Sequence, residues 1–410
     1  MTGSLDKPDP AIGYQFPSGH LGHLSPTQQT AFEAFKQLCA DRGVYTPGKG
    51  DQLPSIPDHT LLRFLRARKF DPNGAFDQLT ASDKWMKQNR LDELYDAIDI
   101  EEYDTARKLY PQWIGTRDKR GMPVYLYEVG PLDTKLVQAQ EKMNQVKGVD
   151  MDGRTEPAKM LRVIALYENL TRFVTPWCSA LPNRPHLPAP ITQGCNIIDI
   201  KGTGLKQFWD LKNHLQDSSQ LATAYYPETL DRIFIIGAPS FFPTVWSWVK
   251  RWFDPVVVSK MFILSNSEVL KVLSEHIDPD NIPKKYGGNH DYSFGDLPNL
   301  HPQSGVLEGW TWEDGHTALP IGPMRWVEGE DGEMVALAVG SHEGEKRQRV
   351  VGRLNRKWKE TVYPQVPSHS DVSKSTAENG ENGNGENGEV VGIPTSAGPP
   401  KTEQQVALET

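Results

Sequence analysis

The chain has 410 residues, 37% of them hydrophobic, a mean hydropathy of −0.55 and a formal net charge of −9. This is the composition of a globular protein with polar extensions; it argues against a membrane-embedded chain and against nucleic-acid binding through a global basic surface. About −5 of the charge falls in residues 366–410, where seven acids face Lys374 and Lys401, leaving about −4 for the rest.

The segment MTGSLDKPDPAIGYQF lacks an apolar signal core and a myristoylation pattern, so a cytoplasmic location is expected. Residues 1–24 are rich in Pro and Gly and read as loose. Ser25-Pro26 reads as a cap and first-turn proline for a helix through Phe32, Phe35 and Leu38 to Gly43. After a loop over Gly43–Pro57, a basic helix is expected over Thr60–Lys69, with Leu61, Leu62 and Leu65 on one face and Arg63, Arg66, Arg68 and Lys69 around the rest. Asp71-Pro72 opens a third helix through Phe76, Leu79 and Trp85. A strand follows at Val124–Tyr127, then a long helix over Lys159–Thr175, and the run Cys195–Ile200 has the continuous apolar character of a parallel strand. A helix over Leu205–Ala224 precedes a second buried strand at Arg232–Gly237, and a last helix lies near Glu268–His276. Alternating strands and helices predict an α/β domain with a mostly parallel sheet. Beyond Gly287 the pattern weakens: Trp326–Gly340 offers short edge strands, and from Val366 onward the polar, low-complexity sequence predicts disorder. The expected organisation is a helical lobe at 25–90, an α/β domain at 100–295, an extension of unknown role at 296–365 and a tail at 366–410.

The segment Pro239–Leu264 is the most telling. It reads as a helix and then a strand over Val256–Leu264. Phe242, Val245, Trp246, Trp248, Val249, Trp252 and Phe253 cover most of the helix circumference, leaving Thr244, Ser247, Lys250 and Arg251 as a narrow polar stripe. It is too short to span a bilayer, while Trp beside Lys and Arg suits a water–lipid boundary. Lys260 sits inside the following apolar run, which is costly unless an anion neutralises it. A greasy lid beside a sheltered cation suggests a pocket for an amphiphile with an anionic head; a core helix with Lys260 paired to a structural carboxylate is the plainer alternative.

Motifs for catalysis and metal binding are missing. Gly43–Gly50 resembles a P-loop but lacks its Ser/Thr and its preceding strand, and Gly202-Thr203-Gly204 has Gln207 where a dinucleotide fingerprint needs glycine. Cys39, Cys178 and Cys195 are too scattered for a metal site and read as free structural thiols, and His276, His290 and His301 read as solvated. No cofactor or metal ligand and no catalytic residue is expected.

Several longer motifs are similar to one family. LLRFLRARKFD at 61–71, YPQW at 110–113, PVY at 123–125, CNIIDIKG at 195–202, YYPE at 225–228, FDPVVVSKMFIL at 253–264 and KKYGG at 284–288 resemble the CRAL-TRIO lipid-binding family, and within it the fungal secretory-pathway phosphatidylinositol transfer proteins. The resemblance covers roughly residues 25–295. It implies a small helical lobe and a sheet-floored pocket closed by a mobile gate helix within 240–253. It also implies non-enzymatic exchange of phosphatidylinositol and a second lipid at a membrane surface. Its headgroup positions match Arg68, Lys69, Glu228 and Lys260, with Arg68 and Lys260 on the phosphate, Lys69 paired with Glu228, and Asp118 a weaker candidate for the inositol hydroxyls. Arg63 and Arg66 stay on an exposed face in this reading. Val257 replaces a phosphate-binding threonine; Gly194 and Asn196 replace a choline-site serine and threonine; Ile114 replaces an aromatic, while Tyr125 and Tyr167 remain. Tyr125, Tyr167 and Asn196 are thus the candidate second lipid site, with phosphatidylcholine binding weak or missing. The implied setting is a monomer peripheral to Golgi or endosomal membranes, with a phosphatidylinositol kinase as candidate partner. The alternative is a carrier for a sterol or another apolar lipid.

Overall fold

The computed structural model describes residues 16–364 except 133, 188, 240, 253–254 and 301–304. The described residues belong to the compact unit 1–366; the second unit, 367–410, and with it the expected disordered tail, lies outside them.

The chain opens with helices α1 (Pro26–Asp41), α2 (Asp58–Ala67) and α3 (Pro72–Gln88). Ser25 caps α1 in a reciprocal box with Gln28, and the Asp71 carboxylate accepts from the N–H groups of Asn73 and Gly74 to start α3. Their core is Phe32, Phe35, Cys39, Leu61, Leu62, Leu65 and Leu79. Residues 16–24, expected to be loose, are packed: Phe16, His20 and Leu21 are all buried. Two further helices that the sequence reading missed follow, α4 (Leu91–Ala97) and α5 (Ile100–Arg107), the second capped by Asp99.

The sheet starts with β1 (Gln112–Arg117), also unanticipated, and β2 (Pro123–Glu128). Then come α6 (Thr134–Lys142), α7 (Ala158–Asn169), a π-helical turn at Leu170–Val174, α8 (Thr175–Ala180), β3 (Gly194–Asp199), α9 (Leu205–Asp210), α10 (Lys212–Tyr225) and β4 (Leu230–Ile236). The lid segment contains α11 (Phe242–Val249), a 3-10 turn at Lys250–Trp252, α12 (Pro255–Ser259) and β5 (Met261–Ile263), and α13 (Val269–His276) closes this part. The five strands lie in sequence order; β1 is antiparallel to β2, and β2 through β5 are parallel. The α/β expectation with a mostly parallel sheet therefore holds. The strand expected over Val256–Leu264 is mostly a helical turn, with only Met261–Ile263 extended.

Strand alternation divides the sheet into two faces. Val124, Leu126, Cys195, Ile197, Phe234 and Ile236 pack on Val269, Leu273 and Ile277 from the α13 side. Tyr125, Tyr127, Asn196, Ile198, Ile233 and Ile235 face the opposite side.

The extension forms a second, antiparallel sheet from β6 (Trp310–Trp312), β7 (Met324–Glu328), β8 (Glu333–Ala338) and β11 (Arg349–Lys357), in the order β6-β11-β8-β7. A small hairpin of β9 (Ser341–His342) and β10 (Glu345–Lys346) precedes β11, and α14 (Trp358–Val362) ends the unit. Its Trp310 and Trp326 close on Trp177, with ring centroids 4.7 and 5.5 Å away, and Trp326 donates to the Phe173 carbonyl. The extension thus roofs the π-helical turn and α8 with an aromatic core. Cys39, Cys178 and Cys195 are free and buried, as expected. His290, expected to be solvated, is fully buried with Nε2 3.0 Å from the Ile114 carbonyl oxygen, and His276 contacts Arg232 at 3.0 Å; His301 lies outside the described residues.

Candidate functional site

The second face of the sheet floors an apolar cavity of about 250 Å³, within a hollow of about 1560 Å³ that includes its open mouth. Tyr125 and Tyr127 from β2, Asn196 and Ile198 from β3, and Ile233 and Ile235 from β4 make the floor. Leu166, Tyr167 and Leu170 make one wall, Ala222 of α10 another, and Phe242 and Trp246 of α11 close over the top. Phe242 and Trp246 are one helical turn apart and stack at 5.9 Å, so both rings turn inward together. Val245 is buried as well, whereas Trp248 is 45% exposed on the outer face, 6.2 Å from the equally exposed Trp209 of α9, next to exposed Lys250 and Arg251. The expected lid is thereby two-faced, an aromatic inner surface and a Trp/Lys/Arg outer one. The side chains of Val249 and Trp252, and all of Phe253, lie outside the described residues.

Next to the cavity but outside its lining, near the end where the parallel strands begin, Lys260 finds its anion. Its Nζ lies 3.2 Å from Glu228 Oε2 and donates to the Leu230 carbonyl at 2.9 Å; the two side chains are 10% and 14% exposed. Leu230 lines the cavity, as do Val257 and Met261 on either side of Lys260 in the chain. Glu228 sits in a left-handed backbone conformation, φ 56°, which points its side chain back toward Lys260 and Gln193.

Other candidates are placed differently. The expected Lys69–Glu228 pair does not form, because Glu228 is taken by Lys260. Helix α2 ends at Ala67, Lys69 and Phe70 take positive φ values of 52° and 63°, and Arg68 and Lys69 are exposed beyond the helix end. Arg63 and Arg66, assigned to an exposed face, are each only 8% exposed. Burial, and for Arg63 the neighbouring Arg66, pull their pKa values down to about 10, while Glu228 opposes the fall in both. Asp118 is occupied: its carboxylate accepts from the Arg120 and Met122 N–H groups and pairs with the Arg120 guanidinium, which also pairs with Asp231. It holds the β1–β2 turn.

Of the second-site candidates, Tyr125, Tyr167 and Asn196 all line the cavity. Tyr167 stacks on Tyr226 at 5.0 Å, and burial pushes its hydroxyl pKa up to about 12. Asn196 donates to the Gly194 carbonyl at 3.2 Å. Ile114 is core on the opposite face. The sequence reading missed Tyr127. It is 3% exposed, lines the cavity, and its hydroxyl has no hydrogen-bond partner among the described residues. Period-two alternation from Tyr125 was the available signal.

Among the described residues no cluster of His, Cys, Asp or Glu could hold a metal ion, and no helix is long and apolar enough to cross a membrane.

Comparison with known proteins agrees with this architecture. The family profile described as CRAL/TRIO domain matches residues 107–288, and that described as CRAL/TRIO, N-terminal domain matches residues 31–81. The Sec14 cytosolic factor of Schizosaccharomyces pombe is 31% identical over 290 residues, 70% of this chain and 92% of that protein. The chain belongs to the CRAL-TRIO family. The SEC14 cytosolic factor of Eremothecium gossypii is 30% identical over 277 residues, 67% of this chain and 81% of that one. A phosphatidylinositol/phosphatidylcholine transfer protein of Arabidopsis thaliana, SFH7, is 34% identical over 258 residues, 62% of this chain but 42% of its own length. The CRAL-TRIO match stops before the extension, so the antiparallel sheet of residues 310–357 is an addition to the matched domain.

Proposed function

We propose that this CRAL-TRIO protein is a non-enzymatic carrier that binds phosphatidylinositol, exchanges it between membranes for a second lipid, and presents it for phosphoinositide synthesis in support of vesicle traffic. The observation that carries this reading is the apolar, sheet-floored cavity with an aromatic lid over the top and a Lys260–Glu228 pair just behind its lining residue Leu230. Acyl chains on the floor gain about 25 cal/mol for each Å² of apolar surface removed from water. An anionic head at the strand-start end meets Lys260, whose amino group is held in place by Glu228 and Leu230. Arg68 and Lys69, exposed at the end of α2, stay in the proposal as headgroup contacts from the solvent side, and the buried Arg63 and Arg66 add positive potential behind them.

Opening occurs on a bilayer. The outer face of the lid carries Trp248 with Lys250 and Arg251, the composition of an interfacial contact, so the lining passes from protein to lipid without meeting water. We place the carrier in the cytoplasm, docking transiently as a monomer on Golgi or endosomal membranes, with a phosphatidylinositol kinase as acceptor. Phosphatidylcholine is a poor second ligand in this reading, because Gly194 offers no side chain and Asn196 is engaged with Gly194. The buried Tyr127 hydroxyl favours a competing cargo, a hydrophobe carrying an oxygen of its own, such as a sterol.

Mass spectrometry of lipids co-purifying from the native host tests the proposal. Near-stoichiometric phosphatidylinositol, lost in an Arg68→Ala/Lys260→Ala double variant, is the expected result. A sterol with no phosphatidylinositol would transfer the assignment to the second reading.

A further inference from the structure

A second cavity, of about 280 Å³, lies away from the lipid pocket, enclosed by the start of α2, the π-helical turn with α8, strand β7 and helix α14. Its wall mixes polar side chains with apolar ones such as Pro176, Trp326 and Trp358, whereas that of the lipid pocket is mostly apolar. His59 and Thr60 come from α2, Thr171 and Arg172 from the π-helical turn, Thr175 from α8 and Arg325 from β7. The matched family domains supply the first three elements and the extension supplies Arg325.

Two of these groups carry buried polar atoms with no hydrogen-bond partner among the described residues: Nδ1 of His59 and Nε of Arg325. A buried polar atom left unsatisfied is costly, and such atoms in native proteins ask for a reason. The Arg325 guanidinium is fixed, with Nη1 3.0 Å from both oxygens of Asp96. Arg172 is anchored in the same way by Glu168 and by Asp92 at 2.6 Å. Arg63 and Arg66, one and two turns further along α2 from His59, add positive potential from behind. Together with burial they hold the His59 imidazole neutral, with a pKa near 3. A neutral imidazole offers one N–H donor.

The π-helical turn is the device that builds this wall. A π turn carries an extra residue, is rare, and recurs at functional sites. Here it puts Leu170 on the lipid pocket and Thr171 and Arg172 on the polar cavity.

From this convergence we infer that the polar cavity is a binding site for a phosphate-type anion, held by Arg325, His59 and the hydroxyls of Thr60 and Thr175, the Thr171 hydroxyl being spent on the Tyr167 and Glu168 carbonyls. The anion is either a free phosphate or phosphate ester in solution or a phosphorylated lipid headgroup reaching in from a membrane. Guanidinium, imidazole N–H and hydroxyl donors match tetrahedral oxyanions, and charge-assisted bonds to them are the strong class. The site is separate from the lipid pocket and goes beyond the carrier function.

Two binding measurements on the full chain separate the sources. Inorganic phosphate is titrated into the protein by calorimetry, and the protein is co-sedimented with phosphatidylcholine vesicles with and without phosphatidylinositol 4-phosphate. Saturable one-site phosphate binding identifies a soluble ligand; sedimentation that needs phosphatidylinositol 4-phosphate, with no phosphate heat, identifies a headgroup. In whichever arm responds, Arg325→Gln and His59→Asn should each weaken binding about tenfold, equivalent to about 1.4 kcal/mol, with the co-purified lipid unchanged. Thr175→Val, which leaves the Asp96 pair intact, serves if Arg325→Gln does not fold. No response in either arm, or binding by the variants equal to that of the parent, overturns the inference.

Discussion

The Lys260–Glu228 pair allows stability and lipid handling to be separated by experiment. At 3.2 Å, with an effective dielectric near 20, the two charges attract by about 5 kcal/mol before desolvation is counted. Exposed pairs net about 0.2–1 kcal/mol, and breaking a fully buried pair costs about 3–5 kcal/mol. With side chains 10% and 14% exposed, this pair lies between those limits, and we expect Lys260→Met to lower the unfolding free energy by about 2 kcal/mol, because sheltered Glu228 loses its direct ion-pair partner and keeps, among the described residues, only the Gln193 amide and the more distant fields of Arg63 and Arg66. Removing both charges in Lys260→Met/Glu228→Gln should restore most of that loss, giving a coupling energy of about 1.5 kcal/mol in a urea-denaturation cycle. Phosphatidylinositol transfer between vesicles should be lost in Lys260→Met and stay lost in the restabilised double variant. A coupling below about 0.5 kcal/mol would refute the pairing argument. Wild-type transfer by a folded Lys260→Met protein would remove Lys260 from the headgroup site.

Other outcomes follow from single features. Tyr127→Phe keeps the ring and deletes a buried hydroxyl with no partner, so ligand-free protein should gain about 1 kcal/mol in a thermal melt, and a loss would mean that the hydroxyl is satisfied. Gly237, at φ 70°, follows β4 where an added Cβ would lie 2.7 Å from Lys201 Cβ and 2.8 Å from Asp199 Oδ1; Gly237→Ala should cost about 2 kcal/mol or more in urea, and a neutral result would refute the tight packing of that turn. His20 and His59 have folded pKa values near 2 and 3, held down mainly by burial, so the unfolded chain binds more protons below about pH 6.5 and stability falls with pH. Each contributes a loss of about 1.4 kcal/mol between pH 7.5 and 5.5, and His59→Gln should remove its share from the measured slope. A chain ending at residue 364 should transfer lipid in vitro as the full chain does, whereas one ending at 295 uncovers Trp177 and Phe173 and should be recovered insoluble; a soluble, active 295-residue protein would show the aromatic roof to be dispensable.

Where sequence and structure part company, local pattern gave way to long-range geometry. The pocket floor was legible: Tyr125, Asn196 and Ile233 fall on one face by simple alternation, and the apolar runs around them fit only a sheet covered on both sides. Helix α2 was legible as a helix but not in which of its cations turn inward. Arg63 and Arg66 lie within the helix beside Leu62 and Leu65 and are carried into the body, whereas Arg68 and Lys69 fall past its last turn, at the C-cap and on the left-handed residue after it, and are exposed. A one-turn difference in where a helix stops thus decides which arginines are buried, and no periodicity reports it. The Val256–Ser259 run has strand composition, yet Pro255 opens one helical turn there, because the chain must drop from the lid to the sheet edge before Met261 can pair with Ile233. The extension was hardest to read: its longest strand, β11, mixes three arginines with two valines and a leucine without clean alternation and pairs across register shifts, so the aromatic residues that identify it as core, Trp310 and Trp326, acquire that meaning only against Trp177, 133 and 149 residues earlier. Those contacts place the extension against the π-helical turn, the one wall that the lipid pocket and the polar cavity share through Leu170 and Thr171.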